Sequence, residues 1–330
     1  MNTQKLRILF AAQRLALVVG VILLVVKLLA WWWTNSNAIL TDALESIINV
    51  VAAGMGLYSL WLSAQPRDRN HPYGHGKVEF ISAGVEGALI MLAGISILAK
   101  ATYNIAYPQT ITRLDIGLLI TAVAGGINYL LGWYLQRQGR GSHSIVLVAS
   151  GAHLKSDAYS SAGLVLGLGL VWVTGSPVLD SLLALVFGAI IIYTGIRLVR
   201  ESVAGIMDEA DYQLIREMVE TLQAARQDDW IDVHNFRVIK YGSTLHIDCH
   251  ITLPWYYTVD QAHDEVKAFE RVMEDFSSVP VELFVHVDPC EPPENCRVCP
   301  LTDCPERKAP QQERIVWTLD NIMKDQKHEI

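Results

Sequence analysis

An ionisable pair, His153 and Asp157, lies inside an apolar stretch that runs from about residue 145 to residue 173. His153 and Asp157 are four positions apart, so on a helix both side chains project from one face. An aspartate at the centre of a membrane-spanning helix costs roughly 2.5–3.5 kcal/mol, so such pairs usually line a polar pathway or hold an ion. The alternative is a hydrogen bond between helices, since three nearby serines also suit tight packing.

A second polar group interrupts the apolar run between about residues 37 and 63. Glu45 and Asn49 are four positions apart, and Asp42 lies one turn before Glu45 on much the same side. Placed against His153 and Asp157 at similar depth, they would supply two carboxylates, an imidazole and an amide oxygen. These are ligands for a divalent cation, with Asp42 as an extra ligand within reach. An interhelical hydrogen-bond network without metal is the alternative.

A short polar segment, PRDRNHPYGHGK, carries three further metal-type ligands. They are Asp68, His71 and His75. The glycines and prolines of the segment argue against a regular helix, so helical geometry cannot be assumed there. One carboxylate and two imidazoles still predict a metal site with an open fourth position.

Histidines are frequent again in the second half of the chain. His246, Asp248 and His250 share one face of a predicted strand because side chains alternate along a strand. So many imidazoles in one small acidic region favour divalent metal binding. The residues concerned are His234, His246, His250, His263, His286 and Asp288.

Four of the five cysteines fall in one proline-rich segment. They are Cys290, Cys296, Cys299 and Cys304. A cytoplasmic location makes structural disulfides unfavourable, and four closely spaced thiolates are typical of a small structural zinc site. An iron–sulfur cluster or a redox pair is the rival interpretation.

The elements that must position the two polar pairs, Glu45 with Asn49 and His153 with Asp157, are membrane helices. Basic residues follow the second and fourth apolar segments and end the sixth, which places both termini in the cytoplasm of a multi-pass protein of the cell (inner) membrane. Glu86, in the third segment, has no evident partner, and packing or a proton role are both open. Six segments are long enough to span a membrane: about 8–32, 37–63, 79–106, 114–136, 145–172 and 178–200.

Charge divides the chain into a membrane part and an acidic part. Residues 1–206 carry a net charge of +5 and residues 207–330 a net charge of −13, within a total of −8. The acidity argues against nucleic acid as a partner. We predict a six-span all-α transmembrane domain over 1–206 and an α+β domain of order αββαβ over 207–289. A cysteine-containing tail follows over 290–330.

The combined motifs resemble the cation diffusion facilitator family from about residue 8 to residue 290. HxxxD in the fifth span, the NHPYGHGKVE segment and the HVDPC ending at Cys290 carry the resemblance. The resemblance implies a metal/proton antiporter with a metallochaperone-like C-terminal domain. It assigns Asp68, His71 and His75 to a second metal site. It also implies a two-metal cluster at a cytoplasmic dimer interface, formed by His234, His250, His263, His286 and Asp288.

Two features depart from the family pattern. Most relatives have DxxxD or HxxxD in the second span, where this chain has Glu45 and Asn49. The loss of one carboxylate should weaken metal binding or shift selectivity. The cysteine tail is the other departure, and the family pattern does not explain it.

From these observations we expect a homodimeric metal exporter and not an enzyme. It would exchange Zn²⁺, or Fe²⁺, Co²⁺, Cd²⁺ or Mn²⁺, for protons by alternating access, with a regulatory C-terminal domain. Metal is then both substrate and regulatory ligand, and retained His153 favours a borderline metal over Mn²⁺. The alternatives are a metal sensor or scaffold with a non-transporting membrane site, and a membrane redox protein that uses the cysteines.

Overall fold

A computed structural model describes residues 3–34, 37–107, 116–174, 178–242, 244–277 and 279–328. Within these ranges, the side chains of residues 3–5, 34, 37–42, 45, 116–118, 168 and 172 lie outside the description. The chain forms two compact units, one ending at Met207 and the other beginning at Asp208.

The first unit consists of long helices, as the six apolar segments predict. Over the described residues, four of them are long and apolar enough by themselves to cross a membrane: Leu6–Trp33, Ser46–Ser63, Val78–Ala106 and Val178–Ile206. The helices are α1 (Thr3–Thr34), α2 (Asn37–Ser63), α3 (Val78–Ala106), α4 (Ile116–Ser142), α5 (Ile145–Thr174) and α6 (Val178–Ile206).

Glycines bring the helix backbones of this unit into close contact. A Cβ atom at Gly151 in α5 would lie 2.6 Å from the carbonyl oxygen of Gly132 in α4. A Cβ atom at Gly195 in α6 would lie 2.8 Å from the carbonyl oxygen of Gly87 in α3. Membrane helices associate through such small-residue contacts, because lipid supplies no hydrophobic drive between them. The Gly132–Gly151 contact positions α5, the helix that carries His153 and Asp157, against α4.

The second unit has the predicted αββαβ order. Its elements are α7 (Tyr212–Ala224), β1 (Asp232–Tyr241), β2 (Thr244–Leu253), α8 (Val259–Phe276) and β3 (Val281–Pro289). The sheet has the order β1-β2-β3, with β1 antiparallel and β3 parallel to β2. Trp230, Phe236 and Phe269 are fully buried in the core between the sheet and the helices. The helical membrane-type domain followed by a small α+β domain confirms the predicted fold class.

Residues 290–328 pack against this fold. A 3-10 turn spans Asn295–Arg297, and a short helix, α9, spans Leu319–Ile322. Trp317 and Ile322 are buried in the same core as the sheet. The guanidinium of Arg226 lies 4.0 Å from the centre of the Trp317 ring and donates a hydrogen bond to the carbonyl of Ile315. The segment is therefore held to the domain by buried side chains along its length.

The start of α7 provides a pH-dependent stabilising contact. The Asp211 carboxylate accepts hydrogen bonds from the Leu214 N–H (3.1 Å) and from Lys240 Nζ (2.5 Å). Burial opposes ionisation, but the hydrogen bond from Lys240 and the capping bond outweigh it and lower the pKa of Asp211. The ionised form is therefore the stabilising one, and its contribution falls as the pH drops below the ordinary aspartate pKa of about 3.9.

We expect Asp211→Ala to speed amide hydrogen exchange in α7 about fivefold at pH 7, because losing such a cap costs about 1 kcal/mol. The ion pair adds little, since both side chains are 38% exposed. The control is Asp260→Ala in the first turn of α8, where Thr258 supplies the cap. Equal exchange rates in α7 for Asp211→Ala and for Asp260→Ala would show that the Asp211 contacts do not stabilise α7.

Candidate metal sites

The amide of Asn49 joins His153 to Asp157 between α2 and α5. The Asn49 Oδ1 atom lies 2.8 Å from His153 Nε2, and Asn49 Nδ2 donates a hydrogen bond to Asp157 Oδ2. Because an amide oxygen only accepts, Nε2 of His153 is assigned as the donor. His153 is buried, and its Nδ1 atom has no hydrogen-bond partner in the described part of the chain. The structure therefore brings together three of the four predicted ligands.

Two further candidate ligands of this site, Glu45 and Asp42, are described by their backbone positions alone. Glu45 lies one turn before Asn49 on α2, and Asp42 lies nearly one turn earlier again. Both side chains fall outside the described residues. Their part in the site stays a prediction.

Two buried carboxyl groups lie on α3 near the same helices. Glu86 Oε1 accepts a hydrogen bond from Ser150 Oγ at 3.0 Å, and Gln13 Nε2 donates to the same hydroxyl at 3.0 Å. Glu79 accepts from Ser63 Oγ at 2.6 Å. The sequence reasoning missed Glu79 with its partner Ser63, and it missed Ser150 and Gln13 as the polar groups beside Glu86. Glu79 and Glu86 are seven residues apart and so share a helix face, which is the signal that could have found them.

The loop between α2 and α3 folds its three predicted ligands onto one another. Asp68 Oδ1 lies 3.1 Å from His71 Nδ1, and Asp68 Oδ2 lies 3.4 Å from His75 Nε2. Gly74 has φ +97°, a conformation that favours glycine, and it reverses the chain so that His75 returns to Asp68. One ligand atom from each residue lies within 4.8 Å of the other two.

Backbone hydrogen bonds hold the Asp68 carboxylate in its ionised form. The His71 N–H donates to Asp68 Oδ1 at 2.7 Å and the Asn70 N–H donates to it at 2.9 Å. The bond from His71 is the main reason that the pKa of Asp68 is lowered. An ionised carboxylate beside two imidazoles is a ligand set that suits a borderline divalent metal.

Three histidines form a row across the sheet of the second unit. His234 on β1 pairs with His250 on β2, which pairs with His286 on β3. The carboxylate of Asp288 lies 3.2 Å from His250 Nδ1 and 3.6 Å from His234 Nε2. His234, His250 and Asp288 each offer a ligand atom within 4.8 Å of the others.

The remaining predicted ligands of this domain lie beside the cluster or away from it. His286 Nε2 is 3.5 Å from Asp288 Oδ1, and the side chain is 66% exposed. His263 is exposed on α8 and does not belong to the cluster within the described residues. His246 is buried next to Glu282, with 3.2 Å between Nδ1 and Oε2.

Asp232 and His328 form a second layer behind His234, which the sequence reasoning missed. Asp232 Oδ2 lies 3.3 Å from His234 Nδ1, and His328 Nδ1 lies 2.5 Å from Asp232 Oδ1. Burial by itself would raise the pKa of Asp232, but the contacts with His234 and His328 outweigh it and lower the pKa. An ionised carboxylate behind a histidine fixes the ring orientation of a metal ligand. The position of Asp232 two residues before His234 on one strand was the available signal.

We expect His328→Ala and Asp232→Asn each to weaken Zn²⁺ binding at the His234 cluster by roughly 10–100-fold, the usual cost of losing such a supporting partner. Isothermal titration calorimetry of the full-length protein in detergent measures this. Asp325→Asn is the matched control, because Asp325 is exposed in the same segment. Unchanged affinity in both variants would show that the second layer does not orient His234.

The four predicted cysteine ligands line one pocket. Cys296 and Cys299 are buried, whereas Cys290 and Cys304 are partly exposed. All five cysteines are free thiols, and Cys249 lies apart from the pocket in the domain core. Burial raises the pKa of the Cys290 and Cys299 thiols.

Long apolar helices and buried metal-type ligands define a multi-pass membrane protein of the ion-transport class. The family model described as cation efflux transmembrane domain matches residues 14–207. The model described as cation efflux protein, cytoplasmic domain, matches residues 207–290. The chain therefore belongs to the cation diffusion facilitator family, a family of divalent metal cation efflux transporters and not of enzymes.

Individual relatives cover most of the chain. An uncharacterized transporter of Synechocystis sp. is 31% identical, over 79% of this chain and 84% of the relative. Metal tolerance protein 2 of Oryza sativa subsp. japonica is 29% identical, over 84% of this chain and 78% of the relative. Cation-efflux pump FieF of Serratia proteamaculans is 26% identical, over 88% of this chain and 96% of the relative.

Proposed function

We propose that this protein exports Zn²⁺, or a borderline divalent metal close to it, in exchange for protons. The observation that carries the proposal is the junction of Asn49, His153 and Asp157 between two helices of the membrane unit. An imidazole nitrogen, a carboxylate and an amide oxygen suit zinc, iron(II) or cobalt better than manganese. Glu45 would complete the site with a second carboxylate.

The hydrogen bonds at this junction support the proposed proton coupling. In the described arrangement His153 Nε2 carries a proton that it donates to Asn49 Oδ1. A metal can bind at Nε2 only after that proton has left. Protonation of the same imidazole, and of a carboxylate, would in turn release the metal. Metal and proton therefore compete for one set of atoms, which links efflux of one to entry of the other by alternating access.

The remaining sites would supply and sense the metal. We propose that Asp68, His71 and His75 bind the ion in a cytoplasmic loop, and that the His234 cluster is a regulatory site in a dimerising cytoplasmic domain. His263 and His286 would complete that cluster in a homodimer. Both termini then lie in the cytoplasm of a cell (inner) membrane protein, in agreement with the placement of basic residues.

Reconstituted proteoliposomes test the exchange. With a zinc-sensitive dye and a pH-sensitive dye inside acidic vesicles, we expect zinc to accumulate while the lumen becomes alkaline. Collapsing the pH gradient with nigericin should stop the accumulation. Equal accumulation after nigericin would contradict proton exchange, and no accumulation of zinc, iron, cobalt, cadmium or manganese would contradict transport itself.

A metal sensor or scaffold is the second candidate function. The neutral amide of Asn49 favours it, because it removes a charge at the membrane site while the loop and the domain clusters retain converging ligands. Calorimetry that shows zinc binding, together with vesicles that show no flux, would select this function.

A further inference from the structure

The four cysteines come from different turns of the segment that follows the sheet, yet they meet at one pocket. Cys290 directly follows β3, and its N–H donates to the carbonyl of Leu253 at the end of β2 at 2.9 Å. Cys296 lies in the 3-10 turn, Cys299 follows that turn, and Cys304 comes from the next turn. All four line one small pocket that is partly open to solvent.

Hydrogen bonds hold this segment in the shape that gathers the thiols. The buried side-chain oxygen of Asn295 accepts a hydrogen bond from the Glu291 N–H at 2.7 Å. The backbone carbonyl of Asn295 accepts a hydrogen bond from the Cys299 N–H at 3.0 Å. Arg307 donates to the carbonyls of Cys296 (3.0 Å) and Cys299 (3.2 Å). These bonds fix the backbone on both sides of the pocket without any regular strand or long helix.

Two donors point at the sulfur atoms themselves. The Lys308 N–H lies 3.4 Å from Cys296 Sγ, and the Tyr256 hydroxyl lies 3.7 Å from Cys304 Sγ. Donors of this kind favour a negatively charged thiolate, the form of cysteine that binds metals. The apolar cluster beside the pocket is small, with Ile231 and Val298 as its fully buried members besides Cys299. The part of the segment that carries the cysteines therefore has little apolar burial of its own, in contrast to the later part, where Trp317 and Ile322 enter the domain core.

We propose that Cys290, Cys296, Cys299 and Cys304 form a tetrathiolate site for one Zn²⁺ ion, separate from the transport and regulatory sites. A tetrahedral zinc site with Zn–S bonds of about 2.3 Å places the sulfur atoms about 3.8 Å apart. In the described part of the chain, the ligand atoms within the Asp68 cluster, and likewise those within the His234 cluster, already lie within 4.8 Å of one another. The four thiols line one pocket but do not yet meet this distance. Binding would draw the partly exposed Cys290 and Cys304 inward onto the buried pair.

Such an ion would fasten the end of β3. Cys290 follows Asp288 by two residues, so the ion clamps the strand that carries this carboxylate of the His234 cluster. The same segment continues to His328, which contacts Asp232 behind that cluster. The site thus stabilises the frame around the regulatory ligands, because closing a loop with a metal restricts the unfolded chain.

Metal content of the full-length protein tests the proposal. Protein purified in detergent with a reductant is dialysed against EDTA and analysed for zinc, iron and acid-labile sulfide. We expect one chelator-resistant zinc per chain in the wild type, none in Cys296→Ser/Cys299→Ser, and one in Cys249→Ser, whose thiol lies outside the pocket. Asp157→Ala should also retain one zinc, so this result is independent of transport.

Thiol protection makes the test independent of whether the double variant folds. In the wild type, the four pocket cysteines should resist alkylation with zinc bound and react after a stronger thiol-competing chelator removes it, as read by mass spectrometry. The single variant Cys304→Ser should bind zinc at least tenfold more weakly. Chelator-resistant zinc in the double variant, iron with sulfide in the wild type, or a disulfide among the four cysteines would overturn the proposal.

Discussion

Replacing Asp157 with alanine is expected to reduce zinc flux into proteoliposomes by at least about 100-fold. Loss of a residue that only supports a metal ligand already costs roughly 10–100-fold in affinity, so loss of a ligand should cost more. The variant also removes the acceptor for Asn49 Nδ2, and so frees the amide that positions His153. Flux is measured by dye fluorescence at matched protein content, after size-exclusion chromatography has shown an unchanged oligomer.

The matched control for Asp157→Ala is Ser156→Ala. Ser156 is buried on the same helix, and its hydroxyl donates to the carbonyl of Ala152 one turn away, at 3.0 Å. We expect this variant to keep flux within about twofold of the wild type, because such a bond within one helix contributes little to its stability. If Asp157→Ala also transports at the wild-type rate, the α2–α5 junction is not the transport site.

Replacing Asn49 with aspartate is expected to tighten zinc binding at the membrane site by at least tenfold at alkaline pH. A unit charge 4 Å from another interacts by about 4 kcal/mol at an effective dielectric constant of 20, and desolvation offsets part of this gain. Without metal, the new carboxylate and Asp157 would lie close together and share a proton. The gain should therefore vanish at acidic pH, and flux should depend more steeply on pH than in the wild type.

Ser59→Asp in α2 is the matched control for this charge. Ser59 is buried on the same helix as Asn49 and ten residues away from it, so its substitution adds a carboxylate about 15 Å along the helix from the junction. Competition flux between zinc and manganese completes the test, since an additional carboxylate favours the harder ion. Equal affinity, pH dependence and selectivity in Asn49→Asp and the wild type would show that residue 49 does not face the metal.

The helices and the αββαβ order could be predicted because they depend on local pattern. A run of about 20 apolar residues has few stable alternatives to a membrane helix, whatever its neighbours are. Alternation along β2, with Ile247, Cys249 and Ile251 buried on one face, likewise predicts a strand that covers a core. The family resemblance, which the matching family models confirm, followed from motifs that stay within single segments.

The detailed contacts at the sites could not be predicted, because they depend on how segments meet. The pattern on α2 and α5 nominated four ligands, but it did not show that the Asn49 amide bridges His153 and Asp157. Asp232 and His328 are 96 residues apart, and no periodicity links them. The histidine row across β1, β2 and β3 depends on the register of the strands. A shift of one strand by one residue would move its histidine to the other face of the sheet and out of the row.

Residue types and their spacing were enough to identify the side chains that can bind a metal and the kind of element in which each of them lies. Spacing and hydropathy are local properties, and they assign a residue to a helix face or a strand face without reference to the rest of the chain. Which of those faces meet depends on how the helices and strands pack. Close backbone contacts such as Gly132 with Gly151 position α5 against α4, and β-strand pairing sets the histidine row, so ligand convergence is a property of packing.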